Sequence, residues 1–115
     1  MKGFELFDKA VNLMGLQDQE RETNKYAETC VKSVYNDLAY KLNGSGFKSI
    51  DFLNEEIPLD DRVLNDVAVY GVAMFLAMII MDGEKQMFFT EIYNQKRLSL
   101  SSIVSVEDVL PTPSD

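Results

Sequence analysis

The residues able to do chemistry are few in this chain of 115 amino acids, which has no histidine and a single cysteine, Cys30. One thiol supplies one ligand at most, so a zinc site built from cysteine and histidine is excluded. The same thiol has no histidine to activate it as a nucleophile. Cys30 lies beside Val34 at the edge of an apolar stripe, where cysteine is usually a small hydrophobic residue. We therefore predict no enzyme, no catalytic residue and no cofactor.

Two other patterns could form binding sites, and both have a simpler structural interpretation. Residues 43–46 read Asn-Gly-Ser-Gly and lack the later glycine and the Lys-Ser/Thr pair of a phosphate-binding loop, so they predict a turn. The carboxylates of Glu55, Glu56, Asp60 and Asp61 could bind a divalent cation, but their spacing does not match an EF-hand loop. Acids just before a helix are favoured by its dipole. We therefore predict a helix start here and no metal site.

The charge balance is strongly acidic, with 11 basic and 19 acidic residues and a net charge of −8. DNA binding normally requires basic groups that neutralise phosphates, so a DNA-gripping role is not expected. A surface along which DNA slides remains compatible with this charge. The first eight residues carry acids where a signal peptide needs an apolar run, which predicts a cytoplasmic location. The length and the 46% hydrophobic content predict one domain with a real core.

The element around which the chain is organised is the uncharged stretch of fifteen residues from Val67 to Met81, bounded by Asp66 and Asp82. A membrane-spanning helix needs about 20 apolar residues, so we predict a core helix and no membrane span. A helix that is apolar on every side must be covered on more than one side. Either the small domain wraps this helix, or a second subunit covers the rest. Gly71 within it predicts a close packing contact.

Apolar spacing predicts four helices. The first covers about residues 3–14, with its apolar face at Phe4, Phe7, Val11 and Met14 and Gly15 as its stop. The second begins near residue 19 or 24 and ends at Asn43, with Tyr35 beside its apolar stripe. The third covers about 60–81, with Asp60 or Asp61 as its N-cap. The fourth covers about 84–98 after the Asp82-Gly83 turn, and its predicted apolar face holds Phe88, Phe89, Ile92 and Tyr93.

The predicted fold is therefore mainly α, a bundle of about four helices whose central apolar helix lies in an antiparallel hairpin. Residues 47–57 are predicted to form an irregular loop or a short strand, anchored by Ile50, Phe52, Leu53 and Ile57. From residue 98, apolar residues alternate with serines, a weak strand pattern. We accordingly divide the chain into a helical domain, 1–97, and an extended or disordered C-terminal arm, 98–115, which either docks on a neighbour or frays.

Several stretches of the chain carry a resemblance to a known family. They are Ile57-Pro58-Leu59, Tyr70-Gly71-Val72-Ala73-Met74, Asp82-Gly83-Glu84-Lys85, Phe89 and Tyr93-Asn94-Gln95-Lys96-Arg97, with Ala10-Val11-Asn12-Leu13-Met14-Gly15, Asn36-Asp37-Leu38 and Asp108-Val109-Leu110-Pro111 as weaker matches. Together these stretches resemble the head–tail connector (adaptor) proteins of tailed bacteriophages and prophages, most strongly over residues 57–97.

The resemblance implies a small helical virion protein that assembles as a ring, commonly twelve-fold, between the portal and the tail or head-completion proteins. DNA would pass through the ring without sequence-specific binding. The protein would be found in the virion, and in the host cytoplasm during assembly. No cofactor is implied. The candidate scaffold and interface residues are Tyr70, Gly71, Met74, Phe75, Phe89, Tyr93, Val104, Val106 and Leu110.

Two other function classes fit the composition. An acidic helical regulator, such as a phage-encoded inhibitor or DNA mimic, would carry rows of carboxylates along one exposed face, whereas the acids here cluster near residues 18–22 and 55–61. An enzyme would need a carboxylate pair or a lysine in a pocket, and no spacing in the chain nominates one.

Overall fold

The computed structural model describes the backbone of residues 1–16, 23–43 and 51–109, and their side chains apart from Asn43 and residues 101–109. Within these residues the fold consists of four helices. They are α1 (Gly3–Met14), α2 (Ala27–Asn43), preceded by one 3₁₀ turn at Asn24–Tyr26, α3 (Asp61–Ile79) and α4 (Gly83–Val109). The prediction of a small, mainly α helical bundle is confirmed, including the hairpin formed by α3 and α4.

The helix α3 lies at the centre and packs against α1, α2 and α4. From Val67 to Ala77 its side chains are buried, apart from Tyr70 and Phe75, which are partly buried. The subunit itself therefore covers most of the apolar central helix, the first of the two alternatives that the sequence left open. Exposed apolar side chains on this helix occur only near its C-terminal end, at Met78 and just beyond it at Met81.

Three segments with different backbone geometry make up α3. Asp60 is the N-cap, as predicted, and its Oδ1 accepts a hydrogen bond of 2.8 Å from the Arg62 N–H. One α-helical turn, Asp61–Val63, leads into a π-helical turn, Leu64–Ala68, and the α-helix resumes over Val69–Ile79. The π turn holds one more residue than an α turn, so the residues before it are rotated about the helix axis relative to those after it.

The start of the chain packs against the segment before α3. The Ile57 N–H donates to the Met1 carbonyl at 2.9 Å, and the Phe4 N–H donates to the Leu53 carbonyl at 3.1 Å. Lys2 and Glu56 form a single antiparallel bridge, so the predicted strand is reduced to one bridge within residues 51–57. The rest of the predicted range, with Ile50, lies outside the described residues.

The helix α1 has the predicted bounds and ends at Gly15, whose φ of 72° is the left-handed value that glycine adopts at a helix end. Its buried face contains Leu6, Phe7, Ala10, Val11 and Met14. The predicted face was wrong at Phe4, which is about half exposed at the edge of this face.

The prediction of a helix ending near residue 98 was wrong, because α4 continues to Val109. Leu98 is 63% exposed whereas Leu100 packs against the core. Residues two apart point to different sides of a helix and to the same side of a strand, so this difference fits a helix. The extended conformation expected from residue 98 is thus not found over 98–109, and the boundary drawn at residue 97 falls inside a helix. The helix ends two residues before Pro111, and residues 110–115 lie outside the described part of the chain.

Candidate functional site

The hairpin of α3 and α4 is held by a close contact between Gly71 and Tyr93. A Cβ atom at position 71 would lie 2.6 Å from Cε1 of the Tyr93 ring, so only glycine allows the ring to pack here. The Tyr70 ring lies 6.5 Å from the Phe89 ring, centroid to centroid, and the Lys96 ammonium lies 5.1 Å from the Tyr70 centroid. The aromatic residues of the hairpin therefore form one packed unit.

A polar cluster joins this unit to α2. The Tyr93 hydroxyl donates to Asp37 Oδ2 at 2.6 Å, and Arg97 donates to both oxygens of the same carboxylate, at 2.7 Å from Nε and 2.9 Å from Nη2. A bidentate arginine–carboxylate pair fixes both position and orientation. We call Asp37, Tyr93 and Arg97 the polar clamp.

The protonation states in the polar clamp are fixed near neutral pH. Burial alone would raise the pKa of Asp37, but the hydrogen bonds from Arg97 and Tyr93 hold it below its ordinary value. Burial, together with the Asp37 carboxylate, raises the pKa of Tyr93. The carboxylate thus stays ionised and the phenol stays protonated, so neither group exchanges protons readily at pH 7. The arrangement is that of a structural contact between helices.

The structure places most of the candidate residues in the packing of the hairpin. Gly71, Met74, Phe89 and Tyr93 are buried, whereas Tyr70 and Phe75 are partly buried. Val104 and Val106 lie on the last turns of α4, where only the backbone is described, and Leu110 lies outside the described residues. Phe88, which was predicted on the apolar face, is 60% exposed, so that prediction was wrong.

The residues considered for chemistry have structural partners. The thiol of Cys30 is fully buried, and burial raises its pKa to about 12, which disfavours the reactive thiolate. Glu56 and Asp61 accept hydrogen bonds from the Met1 ammonium at 2.6 and 3.3 Å. Among the described side chains, no group of three or more Cys, Asp or Glu residues is placed to hold a metal ion.

Four exposed apolar side chains lie at the end of the hairpin where α3 turns into α4. Met78, Met81, Met87 and Phe88 are 46%, 88%, 76% and 60% exposed, and we call them the hairpin-end surface. This surface was not predicted, because Met78 and Met81 belong to the uncharged stretch 67–81 that was expected to form a core helix apolar on every side. The available signal was a cluster of methionines on both sides of the Asp82-Gly83 turn, because flexible thioether side chains are common at adaptable binding surfaces.

Met81 also has an unusual backbone. Its φ of 60° makes it the one residue other than glycine with a positive φ among the described residues. The left-handed conformation costs a residue with a Cβ roughly 1–2 kcal/mol. This conformation belongs to the end of α3, where the Met81 N–H donates to the Met78 carbonyl at 3.2 Å and the Asp82 N–H donates to the Ala77 carbonyl at 2.9 Å. Met81 therefore caps the helix in the position that glycine usually occupies.

A shallow depression beside this surface, on the first turns of α4, is open to solvent. Its lining residues are Gly83, Glu84, Gln86, Met87, Thr90 and Glu91. Such a surface suits contact with another macromolecule, because small-molecule sites are usually concave and enclose most of their ligand.

The helix α3 is also the one helix among the described residues whose length and composition would allow it to cross a membrane. It has 19 residues with a mean hydropathy of 1.5 over its most apolar window, and 56% of that window is buried by the rest of the subunit. Burial of this extent by α1, α2 and α4 is what a core helix requires.

Two features are thus candidates for a functional role. The polar clamp and its aromatic neighbours have the burial and hydrogen bonding of an internal structural contact. The hairpin-end surface has the exposed apolar character of a contact with another protein. No family model, curated protein or solved structure matches the chain.

Proposed function

We propose that the chain is a structural subunit of a head–tail connector of a tailed bacteriophage or prophage. Copies of the subunit form a ring, possibly twelve-fold, between the portal protein and the tail or head-completion proteins. DNA passes through the ring without sequence-specific binding. The subunit has no enzymatic role and no cofactor, and it works in the virion after assembly in the host cytoplasm.

The observation that carries the proposal is that the residues of the resemblance contact one another. Gly71 packs against Tyr93, and Tyr93 and Arg97 both bind Asp37. These residues come from three separate stretches of the chain, 36–38, 70–74 and 93–97. The contacts between these stretches give a physical reason for their occurrence in one chain. They support interpreting the resemblance as a shared helical hairpin.

The electrostatic character of the chain also supports the proposal. A net charge of −8 disfavours tight binding of DNA, because like charges repel. A channel for DNA must let the duplex move, and a surface that binds phosphates strongly would hold it in place. The total charge therefore suits a protein through which DNA travels.

The mechanism that follows is mechanical. The polar clamp links α2 to α4, and the Gly71–Tyr93 contact links α3 to α4, so the helices move together as one body. In a cyclic ring each contact joins one face of a subunit to a different face of the next. Exposed apolar groups such as the hairpin-end surface supply the kind of area that a contact of this type buries.

The test is a mass measurement by analytical ultracentrifugation or native mass spectrometry, on the purified protein alone and mixed with the portal protein of the same genome. We expect a complex whose mass corresponds to a ring of subunits on the portal ring. Portal alone and the chain alone are the controls. An acidic regulatory module would instead bind a host protein and leave the portal unchanged. Failure to bind the portal, together with absence from purified virions, would overturn the proposal.

A further inference from the structure

We propose that α1 of one copy docks against the start of α4 of the next copy, where Lys9 pairs with Glu84 and Lys2 pairs with Glu91. The occupant of the hairpin-end surface is thus a second copy of the same chain. This inference rests on the proposed self-assembly and adds the two faces that meet.

The first face lies at the start of α4 and carries two exposed carboxylates. Glu84 and Glu91 both line the depression beside the hairpin-end surface, and two members of that surface lie between them in the sequence. The other charged groups at this end of the hairpin, Asp82 and Lys85, pair with each other at 3.1 Å. Among the described side chains, no ion pair involves Glu84 or Glu91. The face is therefore an apolar strip with an unpaired negative charge at each end.

The second face lies along α1 and carries two exposed amines. Lys2, which is the N-cap, and Lys9 are seven positions apart, or about 10 Å along the helix axis. Leu13, one turn beyond Lys9 on the same side, is 44% exposed. Glu5 lies between the lysines, and its carboxylate already accepts a hydrogen bond of 2.9 Å from the Lys2 N–H. Neither lysine forms an ion pair within the part of the chain whose side chains are described.

The two faces match in spacing as well as in sign. Glu84 and Glu91 are also seven positions apart, so two helices that lie side by side bring both lysines to a carboxylate. The aliphatic stems of the lysines can cover the apolar side chains between the carboxylates. Copies that each carry a net charge of −8 repel one another, so a contact between them is favoured where opposite charges meet.

The position of Leu13 selects the antiparallel orientation of the two helices. With Lys9 opposite Glu84, Leu13 extends past the start of α4 and lies beside Met81, which is 88% exposed. With the helices parallel, Leu13 would instead lie beside Gln95, an exposed polar residue. The antiparallel orientation therefore buries an apolar side chain from each copy, which is favourable.

The contact joins two different faces of the subunit and therefore propagates. Within one subunit α1 packs against α2 and α3, so its lysine face is left for a neighbour. Each copy offers one face of each kind, and contacts continue from copy to copy until a ring closes. Because the ion pairs lie at the surface, salt screens them, and we expect association to weaken as the salt concentration rises.

The first test exchanges the charges of the two faces in the full-length chain. Lys9→Glu and Glu84→Lys should each associate about tenfold more weakly than the wild type, because an attractive pair becomes a repulsive one. The double variant with both changes should recover the wild-type association, measured by sedimentation velocity with and without the portal protein. The matched controls are Lys32→Glu and Glu28→Lys, the same changes at exposed positions of α2, which should associate like the wild type.

The second test is cross-linking by a carbodiimide, which joins an amine to a carboxylate in contact with it and releases the oxygen in the urea by-product. Isotope-labelled and unlabelled wild-type chains are mixed, with and without the portal protein. Mass spectrometry should find Lys9 joined to Glu84 and Lys2 joined to Glu91 in peptide pairs of which one member is labelled. Lys32, which is exposed on α2, should give no link to Glu84.

The inference fails if Lys9→Glu associates normally, if the double variant is folded by circular dichroism but does not recover association, or if no mixed-isotope link forms with or without portal. Links from Lys9 to Glu91 in place of Glu84 would overturn the antiparallel orientation. The proposed function fails differently. A ring that binds the portal without these links would refute the two faces alone, whereas linked copies that do not bind the portal would refute the function and leave the contact intact.

Discussion

Replacing Gly71 by alanine should destabilise the subunit, although the same change in an unobstructed helix stabilises it. The new Cβ would lie 2.6 Å from Cε1 and 3.0 Å from Cδ1 and Cζ of the Tyr93 ring, whereas carbon atoms in contact prefer about 3.5–4.0 Å. The ring must therefore move by roughly 1 Å. The ring cannot move freely, because its hydroxyl donates a hydrogen bond of 2.6 Å to Asp37.

The expected magnitude is the difference between two opposing effects. Overpacking a well-filled site costs typically about 1–3 kcal/mol. Alanine gains about 1 kcal/mol over glycine in a helix interior. We expect Gly71→Ala to lower the free energy of unfolding by about 1 kcal/mol, measured by urea denaturation followed by far-ultraviolet circular dichroism.

The effect of Gly71→Ala on stability should have the opposite sign in a variant that lacks the Tyr93 ring. In a Tyr93→Ala variant the ring is gone, so Gly71→Ala should raise the free energy of unfolding relative to Tyr93→Ala alone. The matched control is Gly83→Ala in the wild type, because a Cβ at Gly83 meets no atom within 4 Å. If Gly71→Ala stabilised the wild type as much as Gly83→Ala does, the Tyr93 contact would not be the reason for the glycine, and the reasoning would be refuted.

Three further changes test other contacts. Gly3→Ala should cost about 3 kcal/mol or more in unfolding free energy, because its Cβ would overlap the Phe52 carbonyl oxygen, and a mild effect in urea denaturation would contradict the close approach of α1. Met81→Gly should raise the unfolding free energy by about 1 kcal/mol, because glycine adopts a positive φ without strain, and an unchanged midpoint would argue against strain there. Asp37→Asn should lower stability by about 1 kcal/mol at pH 7, a value reduced for partial exposure. The pKa of Asp37 is lower in the folded than in the unfolded state, so its stabilising contribution is complete above about pH 4 and is lost as the pH falls through the folded pKa. The unfolding free energies of the wild type and Asp37→Asn should therefore converge in acid.

Local signals in the sequence predicted the features that depend on a few neighbouring residues. The bounds of α1 follow from spacings of three and four residues and from Gly15, and Asp60 was identified as an N-cap from its type and position. The packing role of Gly71 followed from the cost of glycine inside a helix. Each of these inferences needs only the residue itself and the next turn of the chain.

Features that depend on distant parts of the chain could not be predicted in this way. Asp37 and Arg97 are 60 positions apart, and neither spacing nor residue type marks them as partners. The exposure of Phe88 beside the buried Phe89 depends on where α3 lies. The length of α4 was not predicted because the serines between Leu98 and Leu100 suggested the two-residue period of a strand. The same sequence fits a helix in which Leu98 is exposed and Leu100 is partly buried.

The methionines at the tip of the hairpin make that region sensitive to oxidants. A thioether that reaches water is readily converted to the sulfoxide, which is polar and stiffer, whereas the buried Met14 and Met74 are shielded. Peroxide should therefore modify Met81 and Met87 before any residue of the interior, and the helices should survive the reaction. In an assembly whose subunit contacts depend on those side chains, oxidation would weaken the contacts while every subunit stayed folded. Methionine sulfoxide reductase would reverse the oxidation and restore the contacts.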